Sequence, residues 1–184
     1  MDETLRGRPA GDADHPPDVP AALRHRLTAL SAATAVLVLI TDQLTKAWAV
    51  HALTGRGYVP LVGDLFGLRL TRNSGAAFSI ATGTTWIFTI IATVVAVAIV
   101  RMTRRLGSLP WAVVLGLLLG GAVGNLTDRL FREPGFARGH VVDFMELPHW
   151  PVFNVADSCI VVAAVLIALL GLRGVGVDGR PMAR

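Results

Sequence analysis

Four apolar runs dominate the pattern of hydrophobic and polar positions along the 184-residue chain. Each run is close to the roughly 20 residues that an α-helix needs to cross the hydrocarbon core of a bilayer. Polar and charged residues gather between the runs and at the two ends of the chain. The pattern therefore predicts four membrane-spanning helices, at about Leu27–Val50, Thr85–Val100, Leu109–Leu126 and Val155–Leu172.

The first run has an alternative interpretation as a cleaved signal peptide. Arg24 and Arg26 precede it, and Ala47-Trp-Ala49 resembles a cleavage site. However, Asp42 and Lys46 interrupt the apolar stretch, which is also longer than the apolar region of a usual signal peptide. We therefore predict a permanent helix.

The composition supports a membrane protein. Hydrophobic residues make up 53% of the chain and charged residues only 16%, whereas about a quarter of the residues are charged in a typical soluble domain. The net charge of +4 could indicate nucleic-acid binding, but most arginines adjoin the apolar runs, where anionic headgroups would attract them. We therefore expect membrane lipids as partners and no nucleic acid.

The residue types that commonly hold metals are sparse. The single cysteine, Cys159, excludes an internal disulfide and a CxxC metal site. The histidines are scattered and no HExxH sequence is present. The sequence therefore predicts neither a metal site nor another cofactor.

Arginines near the ends of the apolar runs indicate their orientation. Those before helix 1, between helices 2 and 3 and after helix 4 fall on one side of a four-span chain, so both termini are expected in the cytoplasm. Residues 1–22 contain four prolines and almost no large apolar side chains, which predicts a disordered cytoplasmic tail. Residues 23–172 would form the membrane domain, and residues 173–184 a C-terminal cytoplasmic tail.

The two loops on the other side of the membrane differ in pattern. In the first, apolar and polar residues alternate along Leu68–Arg72 after a turn at Gly63-Asp64, which predicts a small strand or hairpin. The second, about Arg129–Phe153, contains several prolines and is expected to be irregular, with room for one short helix. The predicted fold class is an all-α membrane protein of four transmembrane helices, with a small extracytoplasmic β element in the first outer loop.

Helix 3 carries a row of small residues. Gly116, Gly120 and Gly124 are four residues apart, a spacing typical of a close-packing face between membrane helices. Asp128 continues the row and, at about 100° per residue, lies near the same face. We therefore expect Asp128 to point into the bundle, with Asn125 bordering that face.

Helix 4 begins at Asn154-Val-Ala-Asp157, where Asn154 would cap the helix and the helix dipole would favour Asp157. Capping alone does not explain a second feature: helix 3 leaves the membrane on the side where helix 4 re-enters, so Asp128 and Asp157 share one depth. Two such carboxylates can share a proton, activate water and protonate a leaving group. Asp157 lies at the N-terminal end of helix 4, where the helix dipole favours its ionised form, and Asp128 lies at the C-terminal end of helix 3, where the dipole disfavours it. We therefore predict that the shared proton resides mainly on Asp128.

Two other functions also use buried acidic residues. A transporter or proton carrier would place polar groups near the membrane midplane and often shows internal repeats, whereas helices 2 and 4 are apolar through their middles. An anchoring protein would not need two carboxylates at matched depth.

Asp42 and Lys46 are four residues apart in helix 1. This spacing predicts an ion pair, which would make a polar helix end tolerable in the membrane.

Five short motifs resemble those of the bacterial lipoprotein signal peptidase (signal peptidase II) family, and they occur in that family's order. The motifs are Asp42-Gln-Leu-Thr-Lys46, Arg72-Asn-Ser-Gly-Ala-Ala-Phe-Ser79, Gly120-Gly-Ala-Val-Gly-Asn-Leu-Thr-Asp-Arg129, Val142-Asp-Phe144 and Phe153-Asn-Val-Ala-Asp157. Together they extend across the whole predicted four-helix core.

The resemblance implies an aspartyl endopeptidase of the bacterial plasma membrane, active at its outer face without metal. It would remove signal peptides from diacylglyceryl-modified prolipoproteins, cutting on the amino side of the lipidated cysteine. We expect a monomer with these substrates and membrane lipids as its partners. By motif position, Asp128 and Asp157 would be catalytic. The supporting residues would be Asn73, Asn125, Arg129 and Asn154, which line the substrate path or orient the pair, and Asp42, Lys46 and Asp143, which stabilise the site.

Overall fold

The computed structural model describes residues 19–75 and 85–182. Within these residues lie four α-helices long and apolar enough to cross a membrane, so the four predicted spans are confirmed. Most of the predicted tail, residues 1–18, is outside the described residues, and the first helix begins at Ala21, inside the range predicted as tail. The helices are α1 (Ala21–Leu53), α2 (Thr85–Thr103), α3 (Leu109–Phe131) and α4 (Val155–Leu172).

The helix α1 is longer than a single crossing requires. Its 33 residues correspond to about 50 Å at 1.5 Å per residue, against about 30 Å for the hydrocarbon core. Arg24 and Arg26 lie near its first turn and His51 near its last. The polar ends of α1 therefore extend past the apolar layer, which is why the predicted apolar run was shorter than the helix.

The helix α3 lies at the centre of the bundle, in contact with the other three helices. A Cβ atom added at Gly120 would lie 2.6 Å from the Cβ of Val38 in α1. One added at Gly121 would lie 2.6 Å from the backbone oxygen of Ala156 in α4. Because a side chain would not fit, the glycines allow the backbones to approach closely, and the predicted packing face is confirmed.

The loop between α1 and α2 and the loop between α3 and α4 together form a small antiparallel sheet. In the described part of the chain it contains β1 (Val59–Val62), β2 (Phe66–Asn73) and β3 (Val141–Glu146), in that order. The β element predicted in the first loop is confirmed. The expectation of an irregular second loop with a short helix was wrong, because β3 obtains its backbone hydrogen bonds from β2 of the first loop.

The pairing of β2 with β3 determines which side chains meet. Thr71 is opposite Asp143, and Asn73 is opposite Val141. Since side chains alternate between the two faces of a strand, Asn73 and Asp143 are diagonal neighbours on one face. Leu68 and Phe144 pack with the last turns of α1, and this contact places the sheet over one end of the bundle.

The chain after α4 turns back onto the opposite end of the bundle. Val175 and Pro181 form an isolated antiparallel bridge. The ring nitrogen of Trp111 donates a hydrogen bond of 2.9 Å to the carbonyl of Val175, and the N–H of Gly107 donates one of 3.0 Å to the carbonyl of Val177. The described part of the predicted C-terminal tail is therefore packed against the connection between α2 and α3.

Candidate active site

The first part of the site is a buried cluster around Lys46. Its Nζ atom lies 2.8 Å from Oδ2 of Asp42 and 3.0 Å from Oδ2 of Asp128. It also donates a hydrogen bond of 3.0 Å to Oδ1 of Asn125. The side chains of Lys46, Asp42 and Asp128 have no solvent exposure. The predicted ion pair within α1 is confirmed, and it extends to α3.

Asp128 points into the bundle, as its position in the glycine row predicts. Its Oδ1 atom accepts hydrogen bonds from Nε of Arg132 at 2.6 Å and from Nε2 of Gln43 at 3.3 Å. Its Oδ2 atom contacts Lys46 and accepts a bond of 3.0 Å from the backbone N–H of Val142. A carboxylate has about four lone-pair sites, so these donors account for all of them. Asp128 thereby joins α1, α3 and β3.

Three of these partners were absent from the sequence prediction. Arg132 was detectable, since it is four residues after Asp128 on the same helix. Gln43 belongs to the first motif but received no role. The N–H of Val142 gave no sequence signal, because it reaches Asp128 only through the docking of β3. The location of the shared proton on Asp128 was predicted from the helix ends and stays a prediction; the contacts of Asp128 with the cations Lys46 and Arg132 were not part of it.

Asp157 lies at the first turn of α4, where Asn154 is the N-cap as predicted. Oδ1 of Asn154 accepts a hydrogen bond of 2.9 Å from the N–H of Asp157. In return, Oδ2 of Asp157 accepts one of 3.2 Å from the N–H of Asn154. Its other oxygen accepts a bond of 2.7 Å from Nδ2 of Asn125. Asp157 is partly exposed, whereas Asp128 is not.

Asp143 reaches the same region from the sheet. Nδ2 of Asn154 donates a hydrogen bond of 2.6 Å to Oδ1 of Asp143, and Nδ2 of Asn73 donates one of 3.0 Å to Oδ2. Burial raises the pKa of Asp143 to about 6. The bond from Asn73 acts against that rise, and the negative charge of Asp157 adds to it. Asn154 therefore contacts both Asp143 and Asp157, a relation that the sequence analysis did not predict.

Arg129 lies beside these carboxyl groups. Its guanidinium carbon is 5.2 Å from the ring centroid of Phe88, and the residue is only 9% exposed. Within the described residues, its Nη1 atom has no hydrogen-bond partner. A buried donor without a partner is costly, so this N–H, which has no partner among the described residues, is a candidate donor to a ligand. Positions 76–79 of the second motif are outside the described residues.

The carboxyl groups meet without a recognisable metal cluster. In residues 19–75 and 85–182, no group of three or more His, Cys, Asp or Glu side chains is arranged to hold a metal ion. The oxygen of Asp42 that does not contact Lys46, Oδ1, accepts a hydrogen bond of 2.9 Å from the N–H of Ala156. Neighbouring carboxyl groups can act as general acid and general base.

The comparisons with known proteins agree with this geometry. The sequence matches the family described as signal peptidase (SPase) II over residues 34–173. The chain belongs to the signal peptidase II family. It is therefore a peptidase and a multi-pass bacterial membrane protein. Membership of this family sets aside the two alternative functions, a transporter and an anchoring protein. The matched range contains all five motifs.

Similar proteins cover most of the chain. The lipoprotein signal peptidase of Rhodococcus jostii (strain RHA1) is 51% identical over 160 residues, which are 87% of this chain and 81% of that protein. The lipoprotein signal peptidase of Mycobacterium avium (strain 104) is 54% identical over 149 residues, 81% of each chain. A solved bacterial membrane enzyme is 31% identical with a TM-score of 0.67, covering 78% of this chain and 92% of its own.

Proposed function

We propose that the protein removes signal peptides from diacylglyceryl-modified prolipoproteins, cutting on the amino side of the lipidated cysteine. Membership of the signal peptidase II family supports the peptidase activity. The position of the carboxyl groups at one end of an apolar bundle supports a substrate held in the membrane. The observation that carries the proposed mechanism is the contact of Asn154 with both Asp143 and Asp157.

The catalytic pair that we propose is Asp143 with Asp157. Motif position indicated Asp128 as the partner of Asp157, but four donors, two of them cationic, engage Asp128. That leaves it no lone pair for water or substrate. Asp143 and Asp157 accept hydrogen bonds from neutral amide groups of Asn73, Asn125 and Asn154. Asp128 would instead hold α1, α3 and β3 together.

The pair would work by sharing one proton. Two adjacent carboxyl groups do not both ionise readily, and the raised pKa of Asp143, about 6, fits a pair that holds a proton more tightly than an isolated aspartate does. The ionised carboxylate would take a proton from water as the water oxygen attacks the scissile carbonyl carbon. The protonated carboxyl group would hydrogen-bond the carbonyl oxygen. When the C–N bond breaks, the proton from water would pass to the leaving amine.

Neighbouring side chains would bind the substrate and orient the pair. We propose that Arg129 donates its available hydrogen bond to a substrate carbonyl, because its Nη1 atom lacks a partner among the described residues. Asn73, which is exposed at the end of β2, would contact the substrate backbone while orienting Asp143. Asn125 and Asn154 would orient the pair. Asp42 and Lys46 would support the site through Asp128.

We also propose the placement of the protein in the plasma membrane. The aspartates would lie at the outer face and both termini in the cytoplasm, in accord with the arginines at the opposite end of the bundle. The protein would act as a monomer, with residues 23–172 as the protease domain between two cytoplasmic tails, residues 1–22 and 173–184.

Cleavage by the purified protein tests this function. A diacylglyceryl-modified prolipoprotein and an unlipidated control are incubated with wild type and with Asp143→Asn, Asp157→Asn and Asp128→Asn. We expect cleavage of the lipidated substrate alone. Asp143→Asn and Asp157→Asn should abolish cleavage with little change in Tm, whereas Asp128→Asn should lower Tm.

Two results would overturn parts of the proposal. Equal cleavage of both substrates would refute the requirement for the lipid. An active Asp143→Asn variant, together with an inactive Asp128→Asn variant of unchanged Tm, would assign the catalytic role to Asp128. Asparagine has nearly the size and shape of aspartate, so these substitutions test charge and proton transfer rather than packing.

A further inference from the structure

A cavity lined by arginines lies at the end of the bundle opposite the aspartates. Its volume is about 450 Å³. Arg24 of α1, Arg104 and Arg105 of the connection between α2 and α3, and Arg180 of the C-terminal segment line it, together with one acidic residue, Asp178. We call this cavity the arginine pocket.

Among the described residues, carboxylates balance the positive charge of the arginine pocket only in part. Asp178 lies 3.8 Å from Nε of Arg180. In the described part of the chain, no carboxylate forms an ion pair with Arg24, Arg104 or Arg105. The guanidinium groups of Arg24, Arg104 and Arg105 around one cavity generate a positive potential that attracts anions. Guanidinium groups also match phosphate oxygens with paired N–H donors.

A second cavity adjoins the arginine pocket. It lies between α1, α2 and α3, has a volume of about 520 Å³, and is lined mainly by aliphatic side chains such as Val36, Leu39 and Val97. Arg101 and Arg104 line it as well, and Arg104 is common to both cavities. We call this second cavity the apolar groove. A basic site and an apolar groove therefore meet at Arg104.

We propose that the two cavities together bind one anionic phospholipid, with its phosphate headgroup in the arginine pocket and an acyl chain in the apolar groove. Basic pockets between transmembrane helices are suited to anionic headgroups. A free phosphate ion would match the arginines but not the groove. The acyl chain of a zwitterionic lipid would fit the groove, but the cationic group of its headgroup would be repelled by the arginines.

The charge of the arginine pocket also argues against the signal peptide as its occupant. Signal peptides begin with a positively charged segment, which the arginines repel. The phospholipid site is therefore separate from the site proposed for cleavage, and it does not depend on the assignment of the catalytic pair.

Native mass spectrometry of the purified full-length protein tests this site by measuring Kd for phosphatidylglycerol and for phosphatidylcholine with the same acyl chains. We expect wild type to bind phosphatidylglycerol at least tenfold more tightly. The double variant Arg104→Gln/Arg105→Gln should lose that preference, since one basic residue near anionic lipid contributes about fivefold in affinity. The control Arg56→Gln/Arg138→Gln makes the same charge change in the loops at the opposite end of the bundle and should keep the preference.

Two further measurements separate lipid from free phosphate. Ala96 lines the apolar groove, so Ala96→Phe should weaken phosphatidylglycerol binding at least fivefold. Millimolar inorganic phosphate should not displace the lipid. Equal Kd values for the two lipids, or equal losses in the two arginine double variants, would overturn the proposal. Full displacement of the lipid by inorganic phosphate, with no effect of Ala96→Phe, would overturn the phospholipid proposal and show that the arginine pocket binds phosphate alone.

Discussion

The ammonium nitrogen of Lys46 lies 3.0 Å from a carboxylate oxygen of Asp128, and neither side chain is exposed to solvent. The same nitrogen lies 2.8 Å from Asp42. One buried cation therefore serves two buried carboxylates on different helices. Because an unpaired charge in an apolar interior is costly, this contact fixes α1 against α3, and Asn125 connects it to Asp157 of the proposed catalytic pair.

Replacing Lys46 with methionine tests the importance of this contact for the fold. Removing one partner of a buried ion pair costs about 3–5 kcal/mol, and we expect a loss of that size in the free energy of unfolding in detergent. The control is Arg69→Gln, which breaks a pair of 2.7 Å with Glu146 in which Arg69 is 52% exposed. That change should cost about 0–1 kcal/mol. Equal losses in the two variants would contradict the prediction.

The proton on Asp143 should be visible in the resting enzyme. Its pKa is raised to about 6, so a protonated carboxyl band in the infrared spectrum should be present at pH 5 and disappear as pH rises through about 6. Asp157→Asn should move the midpoint down, because the charge of Asp157 raises this pKa. Asn73→Ala should move it up, because the hydrogen bond from Asn73 lowers it. Shifts in the opposite directions would show that another carboxyl group is titrating.

Two glycines in helices should respond oppositely to alanine. At Gly120, a Cβ atom would lie 2.6 Å from Val38 Cβ and 2.7 Å from the backbone oxygen of Ala35, so Gly120→Ala should destabilise by about 1–3 kcal/mol. At Gly171, no atom lies within 4 Å of the added Cβ. Gly171→Ala should therefore be neutral or stabilise by up to about 1 kcal/mol. Thermal unfolding in the same detergent compares the stability of each variant with that of wild type. A Gly120→Ala variant as stable as wild type would refute the prediction.

Serine and alanine at position 154 separate capping from orientation of the pair. Serine preserves the N-cap of α4, whereas alanine loses it at a cost of about 1 kcal/mol. Both lack the amide that donates to Asp143 at 2.6 Å. We expect Asn154→Ser to be more stable than Asn154→Ala, with kcat at least tenfold below wild type in both. A serine variant with the kcat of wild type would show that the amide of Asn154 does not orient the pair.

The membrane-spanning elements were predictable because their length and composition are local properties. The inward direction of Asp128 followed from helix geometry, and the cap at Asn154 from residue type. The third strand was not predictable, because Val141–Glu146 becomes a strand through pairing with a segment about 70 residues earlier. The contact of Asp143 with Asn154, which also contacts Asp157, depends on that pairing. The sequence analysis instead paired Asp157 with Asp128, from their shared depth, the glycine row and motif position.

The register of β2 and β3 also restricts how this chain can change length. Val142 is tied to Asp128 through its N–H, and Asp143 is opposite Thr71. An insertion among residues 133–136 can bulge outward, since that segment has no strand pairing to preserve, whereas Ala137 and Gly139 are bonded to α2 and α3. A single inserted residue between Val141 and Asp143 would reverse the faces of the strand and turn the carboxyl group away from Asn154. Evolution can therefore lengthen this loop more readily at residues 133–136 than within β3.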